Sequence, residues 1–257
     1  MSTDTGDLVA TLRGAGCVFA EDEARLLRAQ ARTATELAAM TARRVHGEPL
    51  EHVLGWAEFA GLRVAVGPGV FVPRHRSEFL VDEAVAARPG ARVVVDLCCG
   101  TGAIGAAVLA RLPGIELHAA DVDEAAVRCA RRTLDGRGEV HHGDLYAALP
   151  SALQGRVDLL VASTPYVPSG AVRLMPPEAR EHEPRTTLDG GSDGLDVVRR
   201  LVVEAPVWLA PGGAVLVETS SAQASTARAL MATRGLGGAV RSDDEGESTV
   251  VLGERRP

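Results

Sequence analysis

Arg92-Val93-Val94-Val95-Asp96-Leu97-Cys98-Cys99-Gly100-Thr101-Gly102 is the stretch that decides the fold. A β-branched apolar run of strand type ends on a carboxylate and passes into a glycine-rich loop. Gly100, Gly102 and Gly105 satisfy G-x-G-x-x-G, a spacing that lets backbone approach a ligand closely. Nicotinamide-nucleotide folds share this pattern. By itself it fixes a strand, a tight turn and a helix, and leaves the ligand open.

Strand and helix signals alternate on both sides of that loop. Residues 76–88 read as a helix stopped by Pro89-Gly90. Downstream, helices are expected over 102–111, 123–134, 193–208 and 222–234. Strands are expected over 115–120, 139–142, 156–162, 213–219 and 248–252. The order predicts an α/β fold built on a doubly wound, mostly parallel sheet. Upstream, the chain reads as short helices. Leu8 and Leu12 mark the first, Ala24, Leu27 and Ala31 the second, and Leu37, Met40 and Val45 a third with a capping box at Thr33–Glu36. The period then changes: Leu54, Trp56, Phe59, Leu62, Val64 and Val66 around Gly61 outline a hairpin over 53–66. Gly67-Pro68-Gly69 is a natural hinge. Residues 1–68 are therefore expected to form a small helical lobe with a hairpin, for substrate recognition, and 69–257 the main domain.

Composition narrows the function classes. The 257 residues are 46% hydrophobic, enough for a sizeable core, and carry a formal net charge of −7. Such a surface disfavours direct binding to nucleic acid. No apolar stretch reaches the ~20 residues of a membrane span. The start, Met1–Asp7, lacks the basic and apolar regions of a signal peptide. Cys17, Cys98, Cys99 and Cys129 show no disulfide framework, so a cytoplasmic protein with reduced thiols is expected. Cys98-Cys99 and His141-His142 are adjacent pairs without ligand spacing, so no metal is expected.

Three carboxylates specify the ligand of the loop. Asp96 ends the first strand of the main domain, where it can meet an ammonium group; a pyrophosphate there would be repelled. Asp121 ends the second strand, placed to accept from ribose hydroxyls. Asp144 ends the third, where it can accept from an adenine amine. With Cys98, Gly100, Gly102, Val122 and Leu145 beside them, these residues suit S-adenosylmethionine, which is cationic and carries no phosphate.

Ser163-Thr164-Pro165-Tyr166 follows the strand 156–162. An amide nitrogen is a poor nucleophile because its lone pair is delocalised into the carbonyl. A site that methylates it must hold its N–H groups on acceptors and aim the lone pair at the methyl carbon. Ser163 offers a side-chain oxygen and Thr164 a backbone carbonyl. Pro165 fixes the loop, and Tyr166 can wall the channel and offer its ring face to a sulfonium. The acidic stretch Glu178-Ala179-Arg180-Glu181-His182-Glu183 lies beyond, with three carboxylates that could hold a cationic substrate.

With these residues in view, the chain resembles the PrmC/HemK class of protein-glutamine N-methyltransferases, which modify peptide release factors. The resemblance covers nearly the whole chain. Gly55-Trp56-Ala57-Glu58-Phe59 and Pro68-Gly69-Val70-Phe71-Val72-Pro73-Arg74-His75-Arg76-Ser77-Glu78 are similar to that family's G-x-x-x-F … P-G-V-x-x-P-R-x-x-[TS]-E segment. Glu183-Pro184, then Leu188-Asp189-Gly190-Gly191 and Asp193-Gly194-Leu195, resemble its E-P … L-x-G-G-x-D-G-L block. The resemblance implies a seven-stranded class I methyltransferase sheet with Gly100 and Gly102 at the cofactor, Asp121 at ribose and Asp144 at adenine. It also implies that the family's Asn-Pro-Pro-Tyr falls on Ser163 to Tyr166. Two of those four positions differ, and the chain has no asparagine at all. Cys98 stands where a glycine is usual.

The expected activity is S-adenosylmethionine-dependent N-methylation, with Ser163, Thr164, Pro165, Tyr166 and Glu183 as the residues of the reaction. The family's acceptor is a glutamine amide of a release factor. The altered motif keeps open a different nitrogen, a guanidinium or amine of a small amino-acid-like metabolite. A non-catalytic binding protein and an NAD-dependent oxidoreductase are the rivals from other classes.

Overall fold

The computed structural model describes residues 5–257. The first four residues, part of the stretch read above for a leader, lie outside the described residues. Four helices come first: α1 (Thr5–Gly14), α2 (Ala20–Gln30), α3 (Ala34–Val45) and α4 (Leu50–Leu54). Their apolar faces meet in one small core of Leu8, Leu12, Ala24, Leu27, Met40, Val53 and Leu54. Thr33 caps α3 by accepting the Glu36 N–H at 3.1 Å, as its spacing requires. A two-residue turn at Ala60-Gly61 then joins β1 (Trp56–Phe59) to β2 (Leu62–Ala65). The hairpin's Phe59 and Val64 pack with Val72, Leu80 and Val108 of the chain that follows rather than into the helical core.

The remaining chain alternates as the periodicity predicts: α5 (Glu78–Ala87), β3 (Val93–Leu97), α6 (Ala103–Arg111), β4 (Glu116–Asp121), α7 (Glu124–Leu134), β5 (Glu139–His142) and β6 (Val157–Ala162). After β6 come a short α8 (Pro177–His182), α9 (Asp196–Trp208), β7 (Leu209–Thr219), α10 (Ser221–Ala232), β8 (Leu236–Ser242) and β9 (Thr249–Arg255). The large sheet has seven strands in the order β5-β4-β3-β6-β7-β9-β8. Pairs from β5 to β7 are parallel, and β9 runs antiparallel to both of its neighbours.

Alternate residues of the central strands serve opposite faces. Val94, Leu117, Leu159, Val161 and Leu216 pack with α5, α6 and α7 on one side. Val95, Leu97, Leu160, Val215 and Val217 pack with α9 and α10 on the other. All five residues of β3 are buried, as a doubly covered parallel strand must be.

Four elements differ from the sequence reading. The expected hairpin over 53–66 begins only at Trp56, because Leu50–Leu54 forms the fourth helix, ended by Gly55 in left-handed backbone. β8 was not expected, because Gly237-Gly238 interrupts its pattern and its edge position leaves most residues exposed. β7 starts at Leu209 rather than 213, because Leu209 pairs with Val157 across a register irregularity. The acidic stretch expected as a loop contains α8, opened by Pro176-Pro177. Among the described residues, no helix is long and apolar enough to cross a membrane.

Candidate active site

Register sets the site. Leu97 pairs with Ala120 on one side and with Ala162 on the other, and Ala162 pairs with Val217. The next residues on those four strands are Asp121, Cys98, Ser163 and Glu218. They stand at one level, Asp121 and Glu218 still in their strands and Cys98 and Ser163 just past theirs, and all four line one cleft. The cleft lies at the carboxyl ends of β3 and β6, where the strand order reverses and where such sheets hold ligands. It encloses about 1120 Å³, open solvent at its mouth included.

The glycine-rich loop spends its amides on its own chain. Gly100 N–H donates to Asp121 Oδ2 at 2.8 Å, Gly102 N–H to the Cys99 carbonyl at 2.7 Å, and Gly105 N–H to Asp96 Oδ2 at 2.9 Å. A pyrophosphate cradle needs such groups pointing at the ligand. These three glycine amides are therefore not free to cradle a pyrophosphate, which accords with a nucleoside ligand that carries no phosphate. Asp121 also accepts the Asp123 N–H at 2.9 Å, so both oxygens are fixed and each keeps an outward lone pair. Burial pushes the Asp121 carboxyl up from its ordinary value. Gly100, Val122 and Leu145 line the cleft beside it.

Cys98 and Leu145, both on the cleft wall, hold left-handed backbone at φ 55° and 48°. Non-glycine residues pay strain there, which explains the usual glycine at the Cys98 position. Burial pushes the Cys98 thiol up, so it is a neutral wall and no nucleophile.

Two of the proposed cofactor residues stand away from the ligand space. Gly102 opens α6 at φ 75° against Ala130, outside the cleft lining. Asp96 is fully buried beneath the loop; its Oδ1 is unpaired, and burial pushes its carboxyl up to about 7. The expectation of direct contact between Asp96 and an ammonium is corrected accordingly, because the carboxylate faces Gly105 and the sheet. Asp144 does line the cleft, but its Oδ2 already accepts from Arg200 of α9.

The Ser163–Tyr166 loop is held by the glycine block downstream. A Cβ on Gly190 would stand 2.4 Å from the Pro165 carbonyl oxygen, and one on Gly194 2.2 Å from the Tyr166 carbonyl oxygen. Val167 N–H donates to the Leu188 carbonyl at 3.0 Å, and Gly190 N–H returns to the Val167 carbonyl at 2.9 Å. Gln223 of α10 donates to the Tyr166 carbonyl at 2.8 Å. The block thus clamps the motif's backbone from behind.

Tyr166 O–H donates to Glu218 Oε1 at 3.4 Å, and the Arg76 guanidinium lies 5.8 Å over its ring. Burial, reinforced by the Glu218 charge, pushes the phenol up to about 12, so it stays protonated. Glu218 Oε2 and Thr164 Oγ1 are buried cleft atoms without a hydrogen-bond partner. Glu218, Arg76, Arg200 and Phe71 line the cleft and were not foreseen as site residues. Glu218 had a readable signal, since it follows the run Ala214–Val217 as Asp96 and Asp121 follow theirs.

The acidic stretch does not reach the cleft. Glu183 receives both bonds of an Arg74 clamp at 2.7 Å and the Val72 N–H at 3.1 Å. Its burial still outweighs Arg74, pushing the carboxyl up. Glu178 pairs with Arg44 of α3 at 2.7 Å, and Glu181 with Arg180 at 3.1 Å. Each carboxylate is already matched by an arginine, and none lines the cleft. Glu183 is a positioning residue that ties the Phe71–Arg74 segment to the motif's flank.

The residues present fit S-adenosylmethionine: glycine amides committed to the loop's own chain, and the half-buried Asp121 facing the cleft. Comparisons with known proteins agree. Residues 61–175 match the family described as "Methyltransferase small domain". The release factor glutamine methyltransferase of Geobacter sulfurreducens is 37% identical over 226 residues, covering 86% of this chain and 78% of that protein. The 4-amino-L-phenylalanine/4-methylamino-L-phenylalanine methyltransferase of Streptomyces pristinaespiralis is 38% identical over 201 residues, covering 75% and 68%. Among solved structures, the T. thermophilus 16S rRNA N2 G1207 methyltransferase, in complex with AdoMet and guanosine, aligns with a TM-score of 0.55. It is 21% identical, and the match covers 78% of this chain and 50% of that one.

Proposed function

We propose, from the premise that this chain belongs to the family of release factor glutamine methyltransferases, that its acceptor is the side-chain amide nitrogen of a glutamine in a peptide release factor. The chain is an S-adenosylmethionine-dependent N-methyltransferase. The observation that carries the reading is the row of strand ends: Asp121 and Cys98 on the cofactor side, Ser163 and Glu218 on the acceptor side, in one cleft. A cytoplasmic setting accords with the four free thiols.

S-adenosylmethionine supplies an electrophilic methyl group when bound. The chain's own residues position and enclose. Asp121 accepts from ribose hydroxyls through its outward lone pairs, and Asp144 with Arg200 faces the base. The Ser163 hydroxyl and the Thr164 carbonyl accept from the acceptor's N–H groups, which leaves its lone pair free to point along the channel. Pro165 keeps that loop rigid, and Tyr166 walls it. Glu218 stands behind Tyr166 with one oxygen unpaired, available to accept the proton that the methylated nitrogen gives up. Gly100, Cys98, Val122 and Leu145 form the apolar and backbone wall on the cofactor side.

A second reading rests on the altered motif. Ser163 is about one bond length (~1.5 Å) shorter than asparagine, and a relative of 38% identity carries an arylamine substrate in its name. A shorter side chain beside the unpaired Glu218 oxygen leaves room for an amine on a small amino acid.

The deciding experiment presents radiolabelled S-adenosylmethionine with three acceptors: a release factor, its glutamine-to-alanine variant and 4-amino-L-phenylalanine. Labelling of the first alone supports the proposal. Labelling of the third alone replaces it with the arylamine reading. No transfer to any, with S-adenosylhomocysteine bound, returns the chain to a binding protein. Ser163→Asn should raise the rate on a glutamine acceptor and lower it on an arylamine.

A further inference from the structure

Two tripeptides of the same form stand side by side on neighbouring strands: Glu116-Leu117-His118 in β4 and Glu139-Val140-His141 in β5. The strands are parallel, with His118 opposite Glu139 and Ala120 opposite His141. Residues two apart share a face of a strand, so both glutamates and both histidines project from one face at the sheet's edge. None of the four lines the cleft.

The cluster has the chemistry of a metal site. His118 Nε2 lies 3.1 Å from Glu116 Oε1. A carboxylate only accepts, so this bond places the proton on Nε2 and leaves the Nδ1 lone pair facing away from it. Glu116 is itself held by Arg156 at 3.0 Å. His118 Nδ1 lies 3.0 Å from His141 Nε2. Glu139 Oε2 is 3.7 Å from the first nitrogen and 3.9 Å from the second. Ligands about 2.0–2.1 Å from a tetrahedral ion stand about 3.3 Å apart. The three donor atoms bracket that spacing. The His118 side chain is only 5% exposed and His141 17%, so the imidazoles are largely fixed, whereas the Glu139 side chain is 69% exposed and free to swing in.

We propose that these residues bind a divalent transition-metal ion, zinc in the first instance. Its ligands are His118 Nδ1, His141 Nε2 and the Glu139 carboxylate, with water completing the set. Glu116 acts from outside, orienting His118 as a carboxylate orients a metal-bound imidazole. Two nitrogens and one carboxylate suit zinc, nickel or copper, whereas calcium and magnesium need oxygen shells. On binding, His141 exchanges tautomer: the Nε2 proton that bridges the two rings is given up, Nδ1 takes one from solvent, and the ring stays neutral with its Nε2 lone pair directed, like that of His118 Nδ1, at the ion between them. The ion would clip the edge strand β5 to β4, three residues before the cleft residue Asp121.

The test uses tag-free, chelator-stripped full-length protein titrated with zinc chloride by calorimetry and followed by thermal unfolding. One equivalent should bind with a dissociation constant of about 10 μM or tighter and raise the melting temperature, as a ligand of the folded state must. His141→Ala should weaken binding by roughly a hundredfold or more, and Glu139→Gln by roughly tenfold. His142→Ala, which alters the neighbouring histidine, should bind zinc as the parent does. Cobalt should give visible d–d bands without the near-ultraviolet charge transfer of a thiolate, which separates this cluster from the four cysteines. S-adenosylhomocysteine affinity measured on each variant reports folding; if His141→Ala does not fold, the exposed Glu139→Gln decides. No zinc binding by the folded parent overturns the proposal, as does zinc binding undiminished in folded His141→Ala or Glu139→Gln.

Discussion

Asp121→Ala isolates the contact on which the cofactor assignment rests. Asp121 ends β4 half-buried, with one oxygen accepting the Gly100 N–H at 2.8 Å and the other the Asp123 N–H at 2.9 Å. Each oxygen retains a lone pair toward the cleft. A hydrogen bond to a charged acceptor contributes about 1.5–3 kcal/mol, so S-adenosylhomocysteine should bind about 10- to 150-fold more weakly to the variant. The same change strips two backbone amides of their acceptor. Gly100 and Asp123 are only partly buried, so water replaces the carboxylate and the folding cost stays near ~1–2 kcal/mol. Asp121→Asn separates the two effects. Its carbonyl still holds one amide, while its NH2 group faces the other, so roughly half the stability loss should remain beside most of the affinity loss. Calorimetry with S-adenosylhomocysteine, paired with urea unfolding, reads both quantities. A folded Asp121→Ala protein with unchanged affinity would remove Asp121 from the ribose and, with it, the alignment of the four strand ends as a cofactor site.

Asp96, pushed up to about 7 by burial, holds its proton in the folded state at pH values where the unfolded chain has released it. Its contribution, up to about 4 kcal/mol for a three-unit shift, is full below about pH 4 and is lost as pH rises through 7. Asp96→Asn keeps the acceptor for Gly105 and should flatten the melting temperature over that window; an unchanged pH profile would refute it. Cys98→Gly relieves left-handed strain at φ 55° and should stabilise the fold by about 1 kcal/mol in urea unfolding. A loss would mean that the thiol's packing outweighs the backbone. Glu183→Gln leaves Arg74 without its charge partner and should cost about 1–3 kcal/mol of stability. Because Glu183 does not line the cleft, KM for either class of acceptor should shift alike, and a loss confined to cationic acceptors would restore it as a substrate ligand.

The sheet was legible because its signals are local. β3 and β6 announce themselves as apolar runs followed by a turn, and doubly covered strands tolerate little else. β8 was not legible, because an exposed edge strand with Gly237-Gly238 has no face to advertise. In the site, residues that follow a strand directly were readable, and Asp121, Cys98, Ser163 and Tyr166 line the cleft. What the chain order hides is pairing across the fold. Glu183 looked free until Arg74, 109 residues earlier, was seen to clamp it. Asp144 carries a partner, Arg200 of α9, 56 residues later in the chain. His141 was compared with His142, its neighbour in sequence, whereas its hydrogen-bond partner is His118, one strand over.

The two halves of the cleft are built under different constraints. On the cofactor side, the loop amides are committed to Asp121, Asp96 and Cys99, so a change at any of them disturbs the turn as well as the ligand. On the acceptor side, the backbone of residues 163–166 is clamped by Gly190, Gly194 and Gln223, while the side chains of Ser163 and Glu218 carry no part of that clamp. Thr164 Oγ1 and Glu218 Oε2 are left unpaired within it. A fold arranged this way can exchange Asn for Ser at position 163 without loosening the loop that aims the nucleophile. On the proposed reading, the choice of acceptor nitrogen rests on the side chains of Ser163 and Glu218, while the backbone that presents them is held independently of those side chains. Two similarly identical relatives with a protein amide and an arylamine in their names are what that division of labour leads one to expect.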